Sequence, residues 1–188
     1  MTNEQAEKWQ ILASEVAMQH PFMSVEMQQL QLPDGRVIDN WPIIDAHDYA
    51  MIVVENEAGE LLILDGYRHG LGRSSWQVVG GHIERDEDPL ATAQRELLEE
   101  AGYASDSWAS LGSFIVDANR LVSHAHFFLA RRAYPSTKLV SDDLEQSEIR
   151  WVSTAEAKQA LSDGRVAISS SALALALALN TLVDGKHQ

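Results

Sequence analysis

The chain has 188 residues, 45% hydrophobic and 22% charged, which suits one globular domain with an appendage and excludes a disordered or fibrous protein. Its formal net charge of -14 repels nucleic-acid backbones and anionic membranes, and the lack of cysteine excludes disulfides, zinc-thiolate sites and cysteine nucleophiles. The polar first residues lack a signal-peptide pattern, and the most apolar segment, residues 172–179, is too short to span a bilayer. We therefore expect a cytoplasmic protein with no nucleic-acid or membrane partner.

The first part of the chain predicts a helix and then a β-hairpin. Good helix formers over residues 4–18 precede His20-Pro21, and proline cannot continue a helix, so a leading helix is expected to end there. Pro33-Asp34-Gly35 is typical of a turn, because proline fixes φ and glycine accepts a positive φ. This turn joins strands predicted at residues 22–32 and 36–44.

The second part predicts a mixed α+β domain around one central helix. A strand over residues 76–79 is expected to end at Gly80-Gly81, and Asp88-Pro89 then begins a helix that Gly102 ends with a left-handed cap. Further strands are predicted at residues 51–54, 61–64, 111–116, 126–129 and 149–152, and further helices at 154–162 and 169–183. We predict an N-terminal extension over residues 1–48 and a main domain over 49–188, with no regular βαβ alternation.

The central helix carries three glutamates on one side. On a helical wheel its buried face consists of Leu90, Ala93, Leu97 and Ala101. Glu96, Glu99 and Glu100 share an arc of about 100° beside that face, and like charges at this spacing repel one another unless a cation neutralises them. Arg95 can pair with Glu99, which leaves Glu96 and Glu100 as oxygen ligands for a divalent ion.

Two interpretations of these glutamates remain open on the pattern alone. The glycine pair allows close approach of the backbone, so a carbonyl there can supply a further oxygen ligand to a metal. The alternative is a solvated acidic helix face without a ligand, as most charge runs are.

Residues 81–103 resemble the signature of the Nudix hydrolase family. That signature has a glycine, a glutamate after five further residues, and the sequence R-E-U-x-E-E-x-G-U after seven more, with U a bulky apolar residue. The matching positions here are Gly81, Glu87, Arg95, Glu96, Leu97, Glu99, Glu100 and Gly102, with every spacing intact. Tyr103 stands where an aliphatic residue is commoner, which we interpret as a packing variation.

The resemblance implies an α/β/α sandwich with a mixed sheet that hydrolyses nucleoside diphosphates linked to another group. It implies metal ligands at Glu96, Glu99, Glu100 and the Gly80 carbonyl, with Arg95 part of the catalytic set and Mg2+ as the cofactor, for which Mn2+ can substitute. Such an ion neutralises the diphosphate and assists in-line attack by water.

A wider and looser resemblance is to the ADP-ribose and nucleotide-sugar pyrophosphatase branch. It implies a homodimer built by the N-terminal strands, in which Trp41 stacks on the base of the substrate or packs in the core, and Arg68 contacts phosphate or braces the helix. ADP-ribose members usually carry a proline about fifteen residues past the motif, whereas this chain has none over residues 90–134, so a nucleotide sugar such as GDP-mannose fits equally.

The general base is expected in a later acidic loop. Glu145 is the first candidate and Glu148 the second, with Asp142 and Asp143 beside them and Glu99 competing from the helix. Two other functions remain open, a hydrolase that removes oxidised nucleoside triphosphates and a Nudix module that senses a nucleotide without cleaving it.

Overall fold

The structure is a computed structural model of the chain, and it describes residues 8–136 and 147–184. The strands are β1 (Gln10–His20), β2 (Met23–Gln31), β3 (Val37–Ala46), β4 (Tyr49–Asn56), β5 (Leu61–Arg68), β6 (Arg73–Gln77), β7 (Val79–His82), β8 (Tyr103–Ala104), β9 (Ser107–Ile115), β10 (His124–Pro135) and β11 (Ser147–Val152). The helices are α1 (Pro89–Ala101), α2 (Thr154–Asp163) and α3 (Ser169–Asp184), with a 3-10 turn at His69–Leu71. In the described part of the chain, no helix combines the length and the apolar character that a membrane crossing requires.

The chain divides into two compact units. The first comprises residues 1–47 and 115–124, and the second comprises residues 48–114 and 125–188. The first unit contains an antiparallel sheet in the order β1-β2-β3. The segment 115–124 joins it through backbone hydrogen bonds, such as that from the Ile44 amide to the Arg120 carbonyl at 3.0 Å.

The predicted leading helix is wrong, because residues 10–20 form strand β1. His20-Pro21, which we expected to stop a helix, instead leads into the tight turn before β2, and β1 pairs with β2 along its whole length. Helix propensity is a weak preference that pairing with a neighbouring strand overrides. The hairpin predicted around Pro33-Asp34-Gly35 is present as β2 and β3, and Gly35 has the expected positive φ of 86°.

The second unit is built around an eight-stranded sheet with a helix layer on each face. Its central path runs β11-β5-β4-β10-β8, with β6 on β5, β7 on β4 and β9 on β10. β4 and β10 are parallel and the other strand pairs with a described register are antiparallel, so the sheet is mixed. The α+β class and the three-layer architecture predicted from the sequence are confirmed.

Alternate residues along each strand pack on opposite faces of this sheet. We call the first face the α1 face, where Ile52, Val79 and Phe128 pack with Ala93 and Leu97 of α1. We call the second the α2–α3 face, which consists of Val53, Ile63, Val78, Phe127, Ala157, Ala160, Ala174 and Leu175. The residues of both faces are almost fully buried, and this packing fixes α1 against β4 and β7.

Candidate active site

Helix α1 is placed by the local signals at its two ends. Asp88 caps its first turn by accepting hydrogen bonds from the Leu90 and Ala91 amides, and Pro89 occupies the first position. Gly102 ends the helix with a φ of 72° in the left-handed region, as predicted. The buried side chains of Ala93 and Leu97 then fix the rotation of the helix about its axis, so Glu96 and Glu100 lie against β7.

The glycine pair lies inside a strand, not at its end as we predicted. Gly80 and Gly81 belong to β7, where they pair with Met51 and Ala50 of β4. A Cβ atom on Gly80 would lie 2.6 Å from the Ala50 carbonyl oxygen and 2.7 Å from the Met51 sulfur. Only glycine therefore fits at position 80 without moving β4, which explains a residue with poor strand propensity in this place.

Gly81 makes room for the first glutamate of the helix. A Cβ atom there would lie 2.5 Å from Oε2 of Glu96 and closer still to Cδ and Oε1, so the Glu96 carboxylate occupies the space that a side chain would fill. Glu100 reaches the same strand, because the Gly80 amide donates to its Oε2 at 3.1 Å. The structure thus brings together Gly80, Glu96 and Glu100, three of the four residues in the predicted ligand set, although the Gly80 contact is made by its amide.

Arg95 organises the carboxylates around this glycine pair. Its Nη1 donates to Glu96 Oε1 at 2.6 Å and to Glu99 Oε2 at 3.0 Å. Its Nε and Nη2 donate to the two oxygens of Glu87, both at 3.1 Å, and Nη2 also reaches the His82 carbonyl at 3.2 Å. A guanidinium held by one bidentate carboxylate has a fixed orientation, so the direction in which Arg95 holds Glu96 and Glu99 is fixed as well.

The pKa values of Glu87 and Glu96, the two carboxylates on either side of Arg95, are shifted in opposite directions. Hydrogen bonding from Arg95, with a smaller contribution from Thr92, lowers the pKa of Glu87 to about 2. Burial raises the pKa of Glu96, whose side chain is 12% exposed, although the bond from Arg95 opposes that rise. Hydrogen bonding to Glu87 raises the pKa of Arg95, so the guanidinium remains charged. Additional positive charge nearby would therefore stabilise the ionised form of Glu96.

The oxygen atoms of this site suit a hard divalent cation as ligands. Carboxylate and carbonyl oxygens are the ligands that Mg2+ prefers, and the Arg95 guanidinium already places positive charge between Glu96 and Glu99. Among the described residues, no three acidic or imidazole side chains converge in a complete cation site as they stand. A cation at this place therefore requires glutamates to turn towards it, and Glu99, with its side chain 59% exposed, has room to do so.

The other predicted site residues lie in different places. Glu148 pairs with Asp65 in the register of β11 and β5, and its neighbour Ile149 packs on the α1 face, so Glu148 projects from the opposite face, where Arg150 donates to it at 2.7 Å. The structure does not bring Glu148 to the α1 glutamates. Glu145, Asp142 and Asp143 lie outside the described residues.

Trp41 and Arg68 belong to different units. In the first unit, the Trp41 indole donates to the Asn119 carbonyl at 3.1 Å and meets Trp9 edge to face at 5.4 Å. In the second, the Arg68 Nε donates to the side chain of Gln77 at 2.5 Å. The sequence does not indicate Gln77 or the His82 carbonyl as site groups, because strand register and helix rotation decide their neighbours.

Comparisons with known proteins agree with this geometry. The model of the Nudix domain matches residues 45–170. The CMP-5'-(N-acetyl-N-hydroxy-3-aminopropyl)phosphonate hydrolase of Streptomyces rubellomurinus is 29% identical over 171 residues, which cover 89% of this chain and 81% of that protein. The ADP-ribose pyrophosphatase of Mycobacterium tuberculosis is 23% identical over 183 residues, which cover 96% of this chain and 87% of that protein.

A solved structure shows the same fold. The crystal structure of an ADP compounds hydrolase matches with a TM-score of 0.82 at 21% identity and covers 96% of each chain. The Nudix domain match spans more than half of the chain and includes the whole glycine-glutamate-arginine arrangement described above. The chain belongs to the Nudix family and is a hydrolase that acts on pyrophosphate bonds.

Proposed function

We propose that the protein hydrolyses the pyrophosphate bond of ADP-ribose or a related nucleoside diphosphate sugar and releases a nucleoside monophosphate and a sugar phosphate. The observation that carries this proposal is that Glu96 and Glu100 contact the Gly80-Gly81 backbone while Arg95 donates a hydrogen bond to Glu96. The names of the relatives support the substrate class, since ADP-ribose and a CMP-linked phosphonate both join a nucleoside monophosphate to a further group.

Family membership implies a divalent cation, typically Mg2+, and we propose Glu96, Glu99, Glu100 and the Gly80 carbonyl as its ligands. Bound there, the ion supplies positive charge that offsets the negative charge of the diphosphate and orients its oxygens. Arg95 holds Glu96 and Glu99 in one direction, and Glu87 holds Arg95. The protein is thereby organised before the substrate arrives, which reduces the cost of reorganisation during the reaction.

In the proposed reaction, a water oxygen forms a bond to one phosphorus while the bond from that phosphorus to the bridging oxygen breaks. The bridging oxygen leaves with the other phosphate, and a carboxylate accepts the proton of the water. Among the described candidates we favour Glu99 as this base, because it is partly exposed on the same side of α1, whereas Glu148 lies on the opposite face. Glu145 stays a prediction outside the described residues.

A substrate screen tests this function. Purified protein with Mg2+ is offered ADP-ribose, GDP-mannose, other nucleotide sugars and oxidised nucleoside triphosphates, and the products are separated by ion-exchange chromatography. We expect a nucleoside monophosphate and a sugar phosphate, with at least a hundredfold loss of kcat in Glu100→Gln and none in Glu57→Gln, which removes an exposed carboxylate in the β4–β5 turn.

Three outcomes contradict the proposal. Release of inorganic pyrophosphate from triphosphates, with no cleavage of sugar nucleotides, points to removal of oxidised nucleotides. Binding of ADP-ribose with no product identifies a sensing module, while equal turnover by Glu100→Gln and the unmodified protein removes the helix glutamates from the mechanism.

We also propose that the protein is a homodimer that assembles through β1. Every residue of β1 is exposed, it lies at the edge of its sheet, and its apolar side chains include Ile11 at 62% and Val16 at 60% exposure. A long, exposed apolar edge strand favours association with another chain. Sedimentation velocity is expected to show a dimer that Val16→Lys converts to a monomer, and a monomeric unmodified protein would contradict the proposal.

A further inference from the structure

A threonine side chain is fully buried in helix α1. Thr92 is 0% exposed, and the other buried residues of the helix, Ala93, Leu97 and Ala101, are apolar. Thr92 lies three residues before Arg95, so the two side chains share one side of the helix. A buried hydroxyl is costly unless it donates a hydrogen bond, so its acceptor indicates why a polar residue lies here.

Two acceptors compete for the Thr92 hydroxyl proton. The Asp88 carbonyl oxygen lies 3.4 Å from the hydroxyl, which is long for a bond between two oxygens, and it already accepts from the Thr92 amide at 3.0 Å. The other acceptor is the carboxylate of Glu87, the residue before Asp88, and hydrogen bonds from Arg95 first and Thr92 second lower its pKa. A charged acceptor forms the stronger bond, so Glu87 is the favoured partner of the hydroxyl.

The hydroxyl completes the set of donors around the Glu87 carboxylate. The Arg95 Nε and Nη2 donate to its two oxygens, both at 3.1 Å, and the Glu84 amide donates to Oε2 at 3.2 Å. An ionised carboxylate accepts about four hydrogen bonds, so the Thr92 hydroxyl takes the remaining position. A carboxylate with donors at each acceptor position is held in one orientation.

The orientation of Glu87 determines the direction of the Arg95 guanidinium. Two of its nitrogens are held by Glu87, and the third, Nη1, donates to Glu96 at 2.6 Å and to Glu99 at 3.0 Å. Because a guanidinium is planar and rigid, a rotation of the Glu87 carboxylate would also move Nη1. Thr92 is therefore connected to both glutamates through two intervening side chains.

We propose that Thr92 is a positioning residue for pyrophosphate hydrolysis, whose hydroxyl fixes Glu87 and thereby the direction in which Arg95 holds the two glutamates. The inference rests on the proposed function, in which those glutamates act on the diphosphate. Position 92 is one of the seven between Glu87 and Arg95 that the Nudix signature leaves undefined, so the signature does not specify a hydroxyl there.

The test compares Thr92→Val, which removes the hydroxyl and keeps the shape, with Thr92→Ser, which keeps the hydroxyl. We expect kcat to fall about tenfold in Thr92→Val with KM changed less than threefold, because the hydroxyl orients reacting groups and does not contact substrate. Thr92→Ser is expected to keep kcat within threefold of the unmodified protein. Thr181→Val is the matched control, since the Thr181 hydroxyl donates at 3.0 Å to the carbonyl four residues earlier in α3, and its kcat should not change.

A purely structural role for Thr92 gives a different pattern. If the side chain only fills space, Thr92→Ser loses at least as much activity as Thr92→Val, and if the hydroxyl only serves the helix backbone, Thr92→Val loses stability but keeps its kcat. Either result overturns the inference, as does full additivity with Glu87→Gln, since residues that act through one another are not additive. Circular dichroism and the melting temperature show that each variant is folded. Thr92→Ala, which favours the helix, replaces Thr92→Val if the latter does not fold.

Binding of Mn2+ separates this inference from the proposed function. Measured by electron paramagnetic resonance of the free ion, the Kd of Thr92→Val is expected to be about threefold weaker than that of the unmodified protein, Thr92→Ser and Thr181→Val. Where a nucleotide sugar is cleaved, kcat decides, and an equal kcat in Thr92→Val contradicts the positioning alone. Where Mn2+ binds without cleavage, the proposed function fails, and the Kd of Thr92→Val supports the positioning if weaker and overturns it if equal. Neither binding of Mn2+ nor cleavage overturns both.

Discussion

Substitution of Gly81 by alanine is expected to inactivate the enzyme without unfolding it. The added Cβ would lie 2.5 Å from Oε2 of Glu96, whereas non-bonded carbon contacts are relaxed at about 3.5 Å, so the carboxylate has to move by about 1 Å. A displacement of about 1 Å at a catalytic group costs about a hundredfold in rate, equivalent to about 2.7 kcal/mol. We therefore expect kcat to fall about a hundredfold in Gly81→Ala.

The stability of this variant is expected to change little. The clashing atoms are the end of a flexible side chain, and Gly81 has no positive φ that alanine would strain. Gly70→Ala is the matched control, because a Cβ atom there meets nothing within 4 Å. Steady-state hydrolysis and urea unfolding are measured for both variants. Gly81→Ala with the kcat of the unmodified protein would refute the placement of Glu96 in the site.

Three further substitutions test the network and the packing. The pKa of Glu87 is lowered from 4.5 to about 2, so its contribution to stability is complete above pH 4.5 and is lost as the pH falls towards 2. In urea unfolding, Glu87→Gln should be less stable than the unmodified protein at pH 7, and the two proteins should have nearly equal stability at pH 2. A stability difference that is constant with pH would contradict the pairing with Arg95. Asp88→Ala removes the N-terminal cap of α1 and should lower the free energy of unfolding in urea by about 1 kcal/mol, whereas Asp88→Asn should change it little. An equal loss of stability in both variants would exclude a capping role for Asp88. Arg165→Ala removes a guanidinium that lies 4.3 Å from the Trp76 ring centre and forms ion pairs with Glu156 and Asp163. The melting temperature should therefore fall while kcat stays unchanged. A large fall in kcat would instead show that this face takes part in catalysis.

Helix α1 was predictable because its determinants are local. The Asp88 cap, the proline after it and the Gly102 stop lie within the segment itself, and the spacing of Glu96, Glu99 and Glu100 follows from helical geometry. The family signature added the functional meaning of that spacing. The end of β11 at Val152 also matches the apolar run predicted at residues 149–152, whereas β10 continues to Pro135, beyond the predicted 126–129.

What the sequence did not predict depends on distant partners. β1 is composed of residues compatible with a helix, and its pairing with β2 decides its conformation. Gly80 and Gly81 suggest the end of a strand, yet β4 extends the ladder through both of them. The contact between Arg68 and Gln77 arises from the register of β5 and β6, which no local pattern specifies.

The central claim is that the α1 glutamates beside Gly80-Gly81 hold a divalent cation for cleavage of a diphosphate. Electron paramagnetic resonance of free Mn2+ during titration with protein measures that binding directly. We predict Mn2+ binding by the unmodified protein and by Glu57→Gln, and at least a tenfold weaker Kd in the folded double variant Glu96→Gln/Glu100→Gln. Equal Mn2+ affinity in the double variant and the unmodified protein would contradict the account.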